Sequence, residues 1–134
     1  MNTPSATTLS ASVLIVEDEE SILLSLEFLL GKEGCTVTTA RDGAAALRVL
    51  QVRPPDLVLL DVMLPLIDGF ELCRLIRENP ALRGTRIILL TARGREAEIA
   101  RGMALGADAY LTKPFSTREL MEKVRALLGA LPTA

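Results

Sequence analysis

Glu17, Asp18, Asp61, Thr91 and Lys113 are the residues of this chain whose types could do chemistry together, and each stands where a short apolar run stops. Val13, Leu14, Ile15 and Val16 run into Glu17 and Asp18. Leu57, Val58, Leu59 and Leu60 run into Asp61. Ile87 to Leu90 ends in Thr91, and Tyr110-Leu111-Thr112 ends in Lys113-Pro114. A charge closing a buried strand is costly unless a cation or a reaction needs it. If the four runs are parallel strands, their carboxyl ends gather three acids, a hydroxyl and an ammonium in one crevice.

Converging carboxylates repel and raise one another's pKa, and a hard divalent cation relieves this. Magnesium prefers oxygen ligands, keeps several waters and takes one or two protein carboxylates. Alone, Glu17 and Asp18 read as solvated residues opening a helix; with Asp61 they read as a metal site, completed by backbone carbonyls just beyond Asp61. One Asp61 oxygen then stays free as a nucleophile toward phosphorus. Phosphoryl transfer is mostly positioning and neutralisation of equatorial oxygens. Lys113 suits that task as a mobile point charge, and Thr91 as a hydrogen-bond donor. Taken singly, Thr91 is a strand-end residue and Lys113 a surface lysine. The Lys113-Pro114 bond is a place where a cis peptide would fix the lysine's direction.

The elements that must position these residues alternate: apolar runs and helical patterns succeed one another five times, the sign of a parallel sheet with helices on both faces. Strands are expected at Val13–Glu17, Thr36–Ala40, Asp56–Asp61, Arg86–Thr91 and Ala109–Thr112, the second alternating weakly, as an edge strand does. Between them the spacing predicts helices over Glu20–Lys32, from Gly43 through Leu50, from Phe70 to the Asn79-Pro80 stop, over Arg95–Leu105 and over Thr117–Leu128. Asp68 is the expected cap of the third. The fold class is therefore α/β, a doubly wound five-stranded parallel sheet with five helices. Such folds bind ligands at the carboxyl ends of the strands, where the polar residues stand.

The 134 residues carry a formal charge of -2, which leaves no nucleic-acid or membrane footprint. No apolar run approaches a membrane span, and cytoplasm is the default location. Cys35 and Cys73 have no metal-like spacing and read as small buried hydrophobes. Histidine is absent from the sequence, which excludes Ser-His-Asp and Cys-His catalysis, histidine-ligated zinc and a phosphohistidine-carrier role. Residues 1–11 are expected to form a flexible leader, residues 12–130 the domain and residues 131–134 a tail.

Val16-Glu17-Asp18-Glu19, Leu59-Leu60-Asp61-Val62-Met63-Leu64-Pro65, Asp68-Gly69, Leu90-Thr91-Ala92-Arg93, Gly106-Ala107-Asp108-Ala109-Tyr110 and Lys113-Pro114-Phe115, in this order and spacing, closely resemble the receiver domain of two-component response regulators. The resemblance covers about Ser12 to Leu128. It implies the flavodoxin-like strand order 2-1-3-4-5, and it implies that Asp61 accepts a phosphoryl group from the phosphohistidine of a sensor histidine kinase. Asp18 and Asp61 would bind Mg2+ (with Mn2+ as a substitute) directly, Met63 through its backbone carbonyl, and Glu17 directly or through water. Thr91 and Lys113 would contact the phosphoryl group. Tyr110 occupies the position of the switch aromatic that turns inward as Thr91 moves, remodelling the face of the fourth helix, fifth strand and last helix. Met63 and Arg93 hold the two positions that tune acyl-phosphate lifetime. A flexible apolar side chain beside a long cation is expected to screen the phosphoryl group from water and slow its loss.

Receivers of winged-helix transcription factors dimerise through charged pairs on that switch face. Matching the motifs of those receivers places Ile99 opposite Glu119 and Ala109 opposite Lys123, so the resemblance implies that an apolar residue replaces one member of each expected pair. The expectation is a stand-alone receiver acting on a downstream effector protein, without direct nucleic-acid or membrane contact. The alternative is an excised receiver of a DNA-binding transcriptional regulator. Leu24 and Phe28 lie opposite the core stripe of the first helix. Either neighbours cover them, or they form an apolar patch for a kinase or a second subunit, so a homodimer would use this helix or the switch face. A phosphoaspartyl hydrolase is disfavoured, because Met63 stands where such enzymes place a second acid and nothing obvious activates water. The chain is expected not to be an enzyme beyond assisting its own phosphorylation and dephosphorylation.

Overall fold

Side-chain caps mark where helices begin. In the computed structural model, which describes residues 10–129, Asp42, Asp68 and Ser116 accept the backbone N–H groups of Ala45, Glu71 and Glu119, as the cap predicted at Asp68 requires. Ser116 and Glu119 form a reciprocal capping box. The described residues run β1 (Ser12–Val16), α1 (Glu20–Lys32), β2 (Thr36–Ala40), α2 (Gly43–Val52), β3 (Leu57–Asp61), α3 (Gly69–Glu78), a 3-10 turn (Pro80–Leu82), β4 (Arg86–Ala92), α4 (Glu96–Ala104), β5 (Ala109–Lys113) and α5 (Thr117–Leu128). The expected leader and tail lie, apart from Ser10 and Ala11, outside the described residues.

All strand pairs are parallel and the sheet order is β2-β1-β3-β4-β5, the predicted order with β2 at an edge. Two apolar layers follow from strand alternation. Val13, Ile15, Leu57, Leu59, Ile88, Leu90 and Leu111 face α1 and α5, meeting Leu23, Leu26, Leu30, Leu120 and Val124. Leu14, Val16, Val58, Leu60, Ile87 and Leu89 face the other way, against Ala46, Leu50, Leu72, Cys73 and Ile76. Both cysteines are buried, as expected, and burial pushes their thiols above the ordinary range.

The α1 alternative is decided against coverage: Leu24 is 54% and Phe28 65% exposed. At the sheet's amino end Arg77 donates to the Gly106 and Thr85 carbonyls and to Asp108, tying α3 to the strands far from the crevice. Among the described residues, no helix is long and apolar enough to cross a membrane.

Candidate phosphoryl and metal site

Strand register sets the crevice. Val16 pairs with Leu60, so the next residues, Glu17 and Asp61, emerge side by side. Leu90 pairs with Asp61, and Thr112 with Thr91, which leaves Lys113 one residue further out. Glu17, Asp61 and Lys113 share the alternation phase of the α1/α5 layer. Thr91 has the phase of Leu89, on the α4 side. The structure thus brings Glu17, Asp18, Asp61 and Lys113 together, and it turns Thr91 toward α4.

Carboxylate oxygens of Glu17, Asp18 and Asp61 all lie within 4.8 Å of one another. Lys113 Nζ stands 2.9 Å from Glu17 Oε1 and 3.3 Å from Asp61 Oδ2. The Met63 amide donates to Asp61 Oδ1 at 3.0 Å, and the Glu19 amide to Glu17 Oε2 at 3.1 Å. Lys113 approaches Glu17 Oε1 as an ion-pair partner. Among the described residues that fully buried oxygen has no hydrogen-bond partner of good geometry. Three converging acids, with one buried oxygen neutralised only by an ammonium that Asp61 also uses, fit a cation.

Burial raises the Glu17 carboxyl above its ordinary value; the Lys113 contact opposes this and the Asp61 charge reinforces it. Burial works against the Lys113 ammonium, but Glu17 and Asp61 outweigh it and hold the lysine above its usual range. The Lys113–Pro114 peptide is cis.

Close packing behind Asp61 depends on a glycine. A Cβ on Gly69 would lie 2.5 Å from the Asp61 carbonyl oxygen and 2.6 Å from the Val62 Cα, so the first turn of α3 rests on the backbone of the acidic strand end. The Gly69 amide donates to the Val62 carbonyl at 3.2 Å.

Thr91 is buried, and its hydroxyl has two distant acceptors, the Ala92 carbonyl and Glu98 Oε1, each at 3.5 Å. Met63 is 62% exposed and Arg93 is exposed, both at the crevice mouth. Tyr110 points outward, 37% exposed, with Lys123 Nζ 5.1 Å from its ring centre. Ile99 and Ala109 are half-buried, while Glu119 is engaged in the α5 capping box.

Sequence reasoning missed Glu98 and Arg41. The Arg41 guanidinium donates to the Asp18 carbonyl at 2.9 Å and braces the β1–α1 loop. The only sequence signal for Arg41 is its place directly after β2. Glu98 had none.

The profile of the response regulator receiver domain matches residues 13–125. The chain belongs to the response regulator receiver family. This receiver is 50% identical over 116 residues to the phosphate regulon transcriptional regulatory protein PhoB of Rhizobium meliloti, a match covering 87% of this chain and 51% of that protein. It is 43% identical over 120 residues to the alkaline phosphatase synthesis transcriptional regulatory protein PhoP of Bacillus subtilis, covering 90% and 49%. The receiver thus spans about half the length of these curated relatives. Among solved structures it resembles the receiver domain of sensor histidine kinase PA1611 of Pseudomonas aeruginosa, with TM-score 0.82, 32% identity and coverage of 90% of this chain and 98% of that one. That structure has a magnesium ion coordinated in its active-site cleft. The acidic cluster of Glu17, Asp18 and Asp61 fits the phosphoacceptor site of the family.

Proposed function

We propose that Asp61 is the phosphoacceptor of a two-component pathway, taking its phosphoryl group from the phosphohistidine of a sensor histidine kinase in the cytoplasm. The carrying observation is the Asp61 carboxylate itself. It is buried at the end of a central strand, with one oxygen on the Met63 amide and the other near Lys113. In the transfer the histidine N–P bond breaks, an O–P bond to Asp61 forms, and the imidazole leaves with its electron pair. Lys113 neutralises phosphoryl charge from the side, and Thr91 donates a hydrogen bond once it turns inward. Asp18, Asp61, Glu17 and the Met63 carbonyl would hold Mg2+, which supplies neutralisation of the transferring oxygens when bound.

Residues 12–130 act as the receiver unit. Output passes through the α4–β5–α5 face to an effector, with Tyr110 as the reporter of the switched state. The exposed Leu24 and Phe28 on α1 supply an apolar patch for the kinase or a second copy. A covalently linked DNA-binding effector is the second reading, supported by relatives that are about twice as long and are named transcriptional regulators.

The test is incubation with Mg2+ and acetyl phosphate. Intact mass should rise by one phosphoryl group, and Asp61→Asn should abolish the gain. No gain in the wild-type chain would overturn the proposal, and turnover of a phosphomonoester would favour a hydrolase instead.

A further inference from the structure

We infer that Glu98 is a latch on Thr91: its carboxylate holds the hydroxyl on the α4 side of the sheet, and this contact must break before Thr91 can serve the phosphoryl group. The inference rests on Asp61 being the phosphoacceptor.

A threonine hydroxyl carries one proton and can donate it to one acceptor at a time. Thr91 Oγ1 lies 3.5 Å from Glu98 Oε1, and Thr91 shares the strand phase of Leu89, the residue on which Gly102 of α4 packs. A phosphoryl group on Asp61 would be a second anionic acceptor for the same proton. Donation to Glu98 and donation to the phosphoryl group exclude each other. The long separation makes the latch weak, as a contact that has to open should be.

The same carboxylate connects the site to the helix. Glu98 sits in the first turn of α4, three residues after Arg95, and Arg95 gives that helix no side-chain cap. At this position a glutamate often reaches back to cap the helix. Here it reaches to Thr91 instead, while Arg95 Nη1 stands 3.4 Å from its other oxygen. Among the described residues Gly102 is the one fully buried residue of α4, and its Ile99 is only half-buried. With so little burial holding α4, a side-chain contact at its start weighs heavily in where the helix rests. Losing Thr91 would free that end of α4, and by linkage anything that frees it should ease phosphorylation.

The experiment follows phosphorylation of the whole chain by acetyl phosphate and Mg2+, read by intact mass. Glu98→Ala should phosphorylate about three- to tenfold faster, the size of one modest hydrogen bond. Glu96→Ala removes the same first-turn charge but does not touch Thr91, and it should stay within about twofold of wild type. In a Thr91→Ala background the Glu98→Ala acceleration should vanish, which separates a latch from a general charge effect. Wild-type and Glu98→Ala rates that coincide would overturn the latch while leaving the phosphoacceptor reading intact. So would an acceleration that persists without Thr91. A wild-type chain that gains no phosphoryl group would overturn both. If circular dichroism shows Glu98→Ala unfolded, Glu98→Met, which keeps the side-chain length but offers Thr91 no oxygen acceptor, takes its place; a faster rate supports the latch and an unchanged rate removes it.

Discussion

Lys113 Nζ lies 3.3 Å from Asp61 Oδ2 and 2.9 Å from Glu17 Oε1, so a single ammonium is shared between two buried carboxylates. With Asp18 alongside, negative charge exceeds positive charge in the crevice. Asp61→Asn removes one repelling charge and keeps an acceptor for the Met63 amide. In metal-free buffer it should stabilise the fold by about 0.5–2 kcal/mol, as neutralising a strained functional site commonly does. Thermal denaturation with a chelator present checks this; an unchanged or lower Tm counts against crowded charge.

Glu17 predicts a pH dependence. Burial, opposed by Lys113 and reinforced by Asp61, holds its folded pKa above 4.5. The metal-free folded state therefore keeps a proton that the unfolded chain releases, and this residue's contribution to stability falls as pH rises through that interval. Cation binding needs the ionised carboxylate, so Mg2+ affinity should be full above the folded pKa and weaken as pH falls through it. Calorimetric titration from pH 8 down to pH 5 should show that decline, and Glu17→Gln should flatten it.

Gly69→Ala should damage both stability and the site. The added Cβ meets backbone at Asp61 and Val62, which cannot rotate away. Overpacking of this kind costs about 1–3 kcal/mol. Urea denaturation should show the loss, together with slower phosphorylation, because any relief displaces Asp61.

Met63 and Arg93, exposed at the mouth of the crevice, are expected to slow hydrolysis of the acyl phosphate. Met63→Asn and Arg93→Glu should each shorten the phosphoryl lifetime several-fold, read by intact mass after the phosphodonor is removed. Unchanged lifetimes would exclude both as screens.

Leu24→Glu should leave stability within about 0.5 kcal/mol, as exposed substitutions do. It should slow transfer from a kinase, lower self-association, or both. Phosphotransfer rates and light scattering that match wild type would show that the α1 patch has no partner.

Local pattern was enough for much of this molecule. The bounds of α1, β2 and α5 follow from periodicity in the sequence, and the Asp68 cap from residue type. Asp61 was legible because a lone acid closing an apolar run conflicts with burial, and a conflict of that sort survives without coordinates. Other features depend on approach between distant segments. The need for glycine at position 69 arises only when α3 rests on the Asp61 backbone. The contact between Thr91 and Glu98 depends on which face of β4 meets α4. The exposure of Leu24 and Phe28 depends on which face of α1 the rest of the fold leaves uncovered. Residue type and spacing determined which side chains stand at the strand ends. Tertiary packing alone decided that Lys113 joins the acids while Thr91 turns to α4, because strand register and face are set by contacts between elements and not within them.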